Sequence, residues 1–214
     1  MPLLEQGNIE KVSFSAERIS ESFVEFIEDG YDVITLTSSC ALMMKYEWPL
    51  ILPDNNSVKL LSENTYDIDE YIVDISKNEG LVEGMQPVDG GISLHLACHS
   101  RAQNMGAKSN ELLKLIPDAD ISIVERCSGH GGTFGVLSPT HDLARKVGKP
   151  AARQVAKVNP SFVISSCPLA SKHLSQITKE DIIKGNEKSQ IKSGHPIELM
   201  AVSYGFLNKD EMSE

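Results

Sequence analysis

Each of the four cysteines in this chain comes just after a short apolar run of the kind that forms a buried β-strand. Cys40 follows Val33-Ile34-Thr35-Leu36, Cys98 follows Ile92-Ser93-Leu94-His95-Leu96-Ala97, Cys127 follows Ile121-Ser122-Ile123-Val124, and Cys167 follows Phe162-Val163-Ile164-Ser165. Helical stretches separate the runs. Strands alternating with helices imply an α/β fold, a mostly parallel sheet with flanking helices and right-handed crossovers. The carboxyl ends of such strands share one edge, where ligands bind. Thiols scattered along the sequence are therefore expected to converge there.

Taken in order, a first helix is expected from a Ser15 cap through Ile19, Phe23, Phe26 and Ile27 to Asp29-Gly30. A strand over 32–36 and a short helix through Met43 and Met44 follow, with breaks at Trp48-Pro49 and Pro53-Asp54. A second amphipathic helix is expected over 67–78, and the glycine-rich stretch 80–91 divides 1–80 from 91–205 within one 214-residue domain. The second half reads as strands 92–97, 120–124 and 161–165. Ser109 caps one helix, helical segments broken at Gly148 and Pro150 reach Val158, and Pro168 opens another. A last helix runs from His195 to Tyr204, leaving 206–214 as a frayed polar tail.

A formal net charge of -10 argues against nucleic acid as a partner, since phosphate binding needs clustered Lys and Arg. No apolar run approaches the roughly 20 residues needed to span a bilayer. The opening residues lack the basic and long apolar regions of a signal peptide, so a cytoplasmic location is expected. Cysteines in that compartment are metal-binding or catalytic more often than disulfide-forming. None forms a local Cys-x-x-Cys pair, so a zinc finger of the usual spacing is not expected.

The densest chemistry lies in Glu125-Arg126-Cys127-Ser128-Gly129-His130-Gly131-Gly132-Thr133-Phe134-Gly135. Gly129, Gly131 and Gly132 let backbone amides approach an anionic ligand without interference from Cβ atoms. Four thiolates are the usual ligand set of a [4Fe-4S] cluster, with Cys40, Cys98, Cys127 and Cys167 as its candidates; zinc accepts the same donors. His99 and His130 lie close to cysteines, which permits an activated thiolate nucleophile. Arg101 is a candidate anion binder and His95 reads as structural. Gly129-His130-Gly131 begins like a dinucleotide fingerprint, but Phe134 stands where the third glycine should fall.

Three ordered motifs carry a resemblance to a known family. Leu96-Ala97-Cys98-His99-Ser100-Arg101-Ala102-Gln103-Asn104-Met105-Gly106, Ile123 through Gly135, and Ser166-Cys167-Pro168-Leu169-Ala170 resemble the second repeat of the cysteine-rich CCG domain of heterodisulfide reductases. The likeness is closest to the iron-sulfur subunits of anaerobic glycerol-3-phosphate dehydrogenase and of lactate or glycolate oxidases. Ser38-Ser39-Cys40-Ala41-Leu42-Met43 resembles the closing motif of the first repeat.

The resemblance implies an iron-sulfur electron-transfer subunit of an oxidoreductase complex, working beside a flavoprotein or another redox subunit in a hetero-oligomer. It makes Cys98, Cys127 and Cys167 cluster ligands and Cys40 the last ligand of the first repeat. Ser128 and Ala170 replace cysteines of the full pattern, and the first two motifs of the first repeat are missing. That leaves Cys40 to join the other three, to complete a site with a second chain, or to stay unliganded. Two alternatives accompany this reading: a cluster-dependent thiol-disulfide reductase, and a zinc-bound or metal-free assembly subunit.

Overall fold

Two parallel sheets organise the chain, one in each half, in a computed structural model that describes residues 2–183 and 191–213. Helices α1 (Pro2–Glu5) and α2 (Ile9–Glu28) precede β1 (Val33–Thr35). Helix α3 (Ser38–Leu42), a π-helical turn (Met43–Glu47), α4 (Trp48–Ile51) and α5 (Asn56–Glu63) lead to β2 (Thr65–Asp67), which pairs with β1, and α6 (Ile68–Asn78) follows. The second half runs β3 (Ile92–His95), α7 (Cys98–Ala102), α8 (Lys108–Leu113), β4 (Ile121–Val124), α9 (Ser138–Val158), β5 (Phe162–Ser165), α10 (Pro168–Ile177), β6 (Lys192–Gly194) and α11 (Pro196–Ser203).

The larger sheet has the order β4-β3-β5-β6, with every pair parallel. Strand alternation directs Ile92, Leu94, Phe162 and Ile164 to one face, against Val73 of α6, Leu112 and Leu113 of α8, and Leu199 and Met200 of α11. Val124 and Val163 face the other side, against Ala151, Ala152 and Val155 of α9 and Leu174 and Ile177 of α10. A separate core in the first half packs Val12, Ala16 and Ile27 of α2 on Trp48, Val58 and Leu61. The α/β class expected from the alternation is the one observed.

Several local expectations are corrected. Asn8 caps α2 by accepting the Lys11 N–H, which places Ser15 inside the helix. Trp48-Pro49 does not stop the chain from helical winding, because Pro49 sits in the first turn of α4, where no N–H is needed. Ser109 lies within α8 and donates its hydroxyl to Asp69 Oδ2. Helix α9 passes unbroken through Gly148 and Pro150, held by a buried stripe of Ala144, Gly148, Ala151, Ala152 and Val155. Helix α5 and strands β2 and β6 arise where no element is expected. The polar stretch ahead of His195 lies partly outside the described residues. The tail is docked: Met212 is buried, and the Ser193 N–H donates to the Ser213 carbonyl.

The seam between the halves carries a buried acid. Asp69 is fully enclosed; Oδ2 accepts the Ser109 hydroxyl, Oδ1 has no hydrogen bond and lies 4.0 Å from His195 Nδ1, and burial pushes its pKa up to about 7. The folded state thus holds this proton more tightly than the unfolded chain. Its stabilising contribution is complete below about pH 4 and is lost as the pH rises to about 7. Thermal melts should accordingly show Asp69→Asn gaining stability over the parent at pH 8 and little at pH 4; equal shifts at both would contradict the assignment.

Candidate metal centre

Strand register brings the cysteines together. His95 pairs with Val124 of β4 on one side and with Ser165 of β5 on the other, so three strands end level. Cys98, Cys127 and Cys167 stand three, three and two residues past that line (95 to 98, 124 to 127, 165 to 167). The chain leaves β3 for β4 on one side and returns to β5 on the other, so strand order reverses beside β3, the position where open α/β sheets bind ligands. A cavity of about 210 Å³ opens there, and all three cysteines line it with Ser39, Glu5, His130, Gly131 and Gly132.

Cys40 is not in that wall. It lies five residues past the end of β1 (35 to 40), in the other sheet, and its neighbour Ser39 takes the place at the cavity. Arg101 is exposed and likewise absent from the wall, whereas His99 lines it. Gly129 serves packing: a Cβ there would run into the Ala144 carbonyl, and one at Gly148 would meet the Ser128 carbonyl. The loop and α9 therefore touch backbone to backbone. Gly131 and Gly132 border the cavity, both with positive φ.

His95 joins two of the cysteine loops. Its Nε2 is 3.1 Å from the Arg126 carbonyl, which can only accept, so Nε2 carries the proton and Nδ1 accepts from Ser165 Oγ, also at 3.1 Å. Ser165 Oγ in turn accepts the Cys167 N–H at 3.2 Å. One buried chain of hydrogen bonds thereby fixes the backbone beside both Cys127 and Cys167. Burial holds the His95 pKa down at about 4, which keeps the imidazole neutral through the physiological range. Sequence alone offered no way to see this, because the His95–Ser165 pairing depends on register.

All four thiols are free; Cys98 and Cys127 are exposed and Cys167 is half-buried. Cys127 Sγ accepts the Gly129 N–H at 3.3 Å. Burial pushes the Cys167 thiol up, the backbone N–H groups of Ala170 and Leu169 pull it down, and nearby Cys98 raises it further. Two thiolates this close repel each other unless a cation lies between them.

The donor set fits an iron-sulfur cluster. Among the described residues no three His, Cys, Asp or Glu side chains gather tightly enough to hold a single ion. A mononuclear zinc site draws its sulfurs to about 2.3 Å from one ion. A cluster gives each iron its own thiolate, which matches three thiols lining one cavity.

Comparison with known proteins agrees with the motifs. Residues 92–174 match the CCG family of cysteine-rich domains. The CCG segment starts at β3 and ends in α10, so it contains Cys98, Cys127 and Cys167 and excludes Cys40. The chain is 26% identical over 208 residues to one subunit of the fumarate reductase (CoM/CoB) of Methanothermobacter marburgensis, covering 95% of this chain and 38% of that protein. It is 23% identical over 203 residues to one subunit of the anaerobic glycerol-3-phosphate dehydrogenase of Escherichia coli, covering 94% and 48%. An uncharacterized iron-sulfur protein of Methanocaldococcus jannaschii is 31% identical over 149 residues, 69% of this chain and 27% of that one. The chain thus spans less than half the length of these three relatives.

The backbone contact behind the CCG segment's loop can be tested. Helix propensity alone would have Gly148→Ala gain about 1 kcal/mol. The added methyl meets the Ser128 carbonyl and Ile177 Cδ1 instead, so chemical denaturation should show a loss of about 1–3 kcal/mol.

Proposed function

We propose that this chain is an iron-sulfur electron-transfer subunit of an oxidoreductase, with Cys98, Cys127 and Cys167 holding a [4Fe-4S] cluster. The observation that carries the reading is the meeting of three free thiols, from three separate crossover units, at one cavity on the strand-order switch of the sheet. The relatives support it: two are subunits of a fumarate reductase and a glycerol-3-phosphate dehydrogenase, and one is an iron-sulfur protein. A hetero-oligomer with a flavin-dependent dehydrogenase is the assembly such a subunit would serve.

The residues divide the work. Cys98, Cys127 and Cys167 supply the thiolates, each losing its proton to the metal's charge. Backbone N–H groups of Gly129, Leu169 and Ala170 lie where they stabilise sulfur charge at Cys127 and Cys167. His95, neutral and bonded at both nitrogens, keeps the two loops at fixed spacing. When bound, the cluster would accept and release single electrons. The exposed Cys98 and Cys127 leave that site open to a partner on one side.

Anaerobic reconstitution with iron and sulfide tests the reading. The folded chain should retain both in nearly equal amounts and give an electron paramagnetic resonance signal on reduction. Cys98→Ala, Cys127→Ala and Cys167→Ala should each weaken iron retention by about 10-fold or more, with the far-ultraviolet circular dichroism unchanged. A parent protein that stays folded and takes up no iron would refute it.

A further inference from the structure

Three thiolates leave one position of a four-ligand set unfilled, and Cys40 stands outside the cavity wall. Of the nitrogen donors in that wall, His95 has both ring nitrogens engaged and His99 is half-exposed. Glu5 is exposed, so water can solvate its carboxylate. His130 differs from all of these. It is 5% exposed, borders the cavity, and its Nε2 is enclosed without a hydrogen-bond partner.

A second buried imidazole lies beside it. The His173 ring is 5.8 Å from that of His130, centroid to centroid, and is also buried. One of its ring nitrogens bonds to the Ala144 backbone, and Nε2 has no partner, so the bonded nitrogen is Nδ1. A carbonyl only accepts; Nδ1 therefore carries the proton and Nε2 keeps a lone pair. His141, 5.9 Å from His173, is anchored in the same way, its Nδ1 lying 2.7 Å from the Gly135 carbonyl. Burial lowers the pKa of both His130 and His173.

Both Nε2 atoms are without a hydrogen bond, so His173 stands beside the His130 ring without engaging it. The neutral imidazole of His130 therefore keeps a lone pair available to a metal. Resting on the cluster assignment above, we infer that His130 is the fourth ligand of the centre and that Cys40 is not a ligand.

Pulsed electron paramagnetic resonance on reconstituted, reduced protein with 15N-labelled histidine reads this directly. The expected result is a nitrogen hyperfine coupling that changes with the label, disappears in His130→Gln, and persists in His99→Gln and Cys40→Ser. A loaded centre without nitrogen coupling, or a Cys40→Ser variant that loses iron, overturns the inference. A parent chain that takes up no iron overturns the cluster reading and this assignment with it.

Discussion

Parallel hydrogen bonding across β4, β3 and β5 sets everything else about the site. Because His95, Val124 and Ser165 are level in that ladder, the residues just past them must emerge at one height on one edge. Side chains of only a few atoms can then meet across the crevice without any long loop to carry them. The energy that holds the register comes from the two buried faces, since a slip by one residue would turn Ile92, Leu94, Phe162 and Ile164 toward the wrong layer. Site geometry is therefore inherited from the hydrophobic core.

The loops that carry the thiols are stiffened by different means. The Cys127 loop is pressed onto α9 through Gly129 and Gly148. The Cys167 turn is held from below by Ser165 and from the side by the Ser38 N–H, which donates to the Ser166 carbonyl at 3.4 Å. That second contact also ties the first half of the molecule to the rim. Gln103 strengthens the tie, donating to the Ser38 carbonyl and to Asp67 Oδ2. The smaller sheet thus brings Ser39 to the cavity and leaves Cys40 outside it.

Much of this was legible in the chain because local pattern and global architecture agreed. The runs at Ile92, Ile121 and Phe162 were apolar enough to mark strands, and a cysteine beyond each marked the edge. Cys40 followed the same local pattern, but its strand joined a different sheet, and no local pattern reports which sheet a strand will join. The contribution of His95 was hidden for a similar reason, since its partners Ser165 and Arg126 are distant in sequence. Gly148 and Pro150 read as breakers because their cost in a helix is local, while the close approach and alanine packing that offset it are tertiary. The capping residue of α2 was missed because the apolar spacing that marked the helix starts at Ile19, and the turns before it mix a buried Val12 with exposed Ile9 and Phe14.

The docked tail has a bearing on solubility. An outermost strand offers a row of unpaired amides and carbonyls to any other extended chain. Here the Ser193 N–H on β6 is already bonded to the Ser213 carbonyl, and Met212 is tucked beneath it. Residues 212–213 thus act as a selvedge along that border, blunting its capacity to zip onto a neighbour.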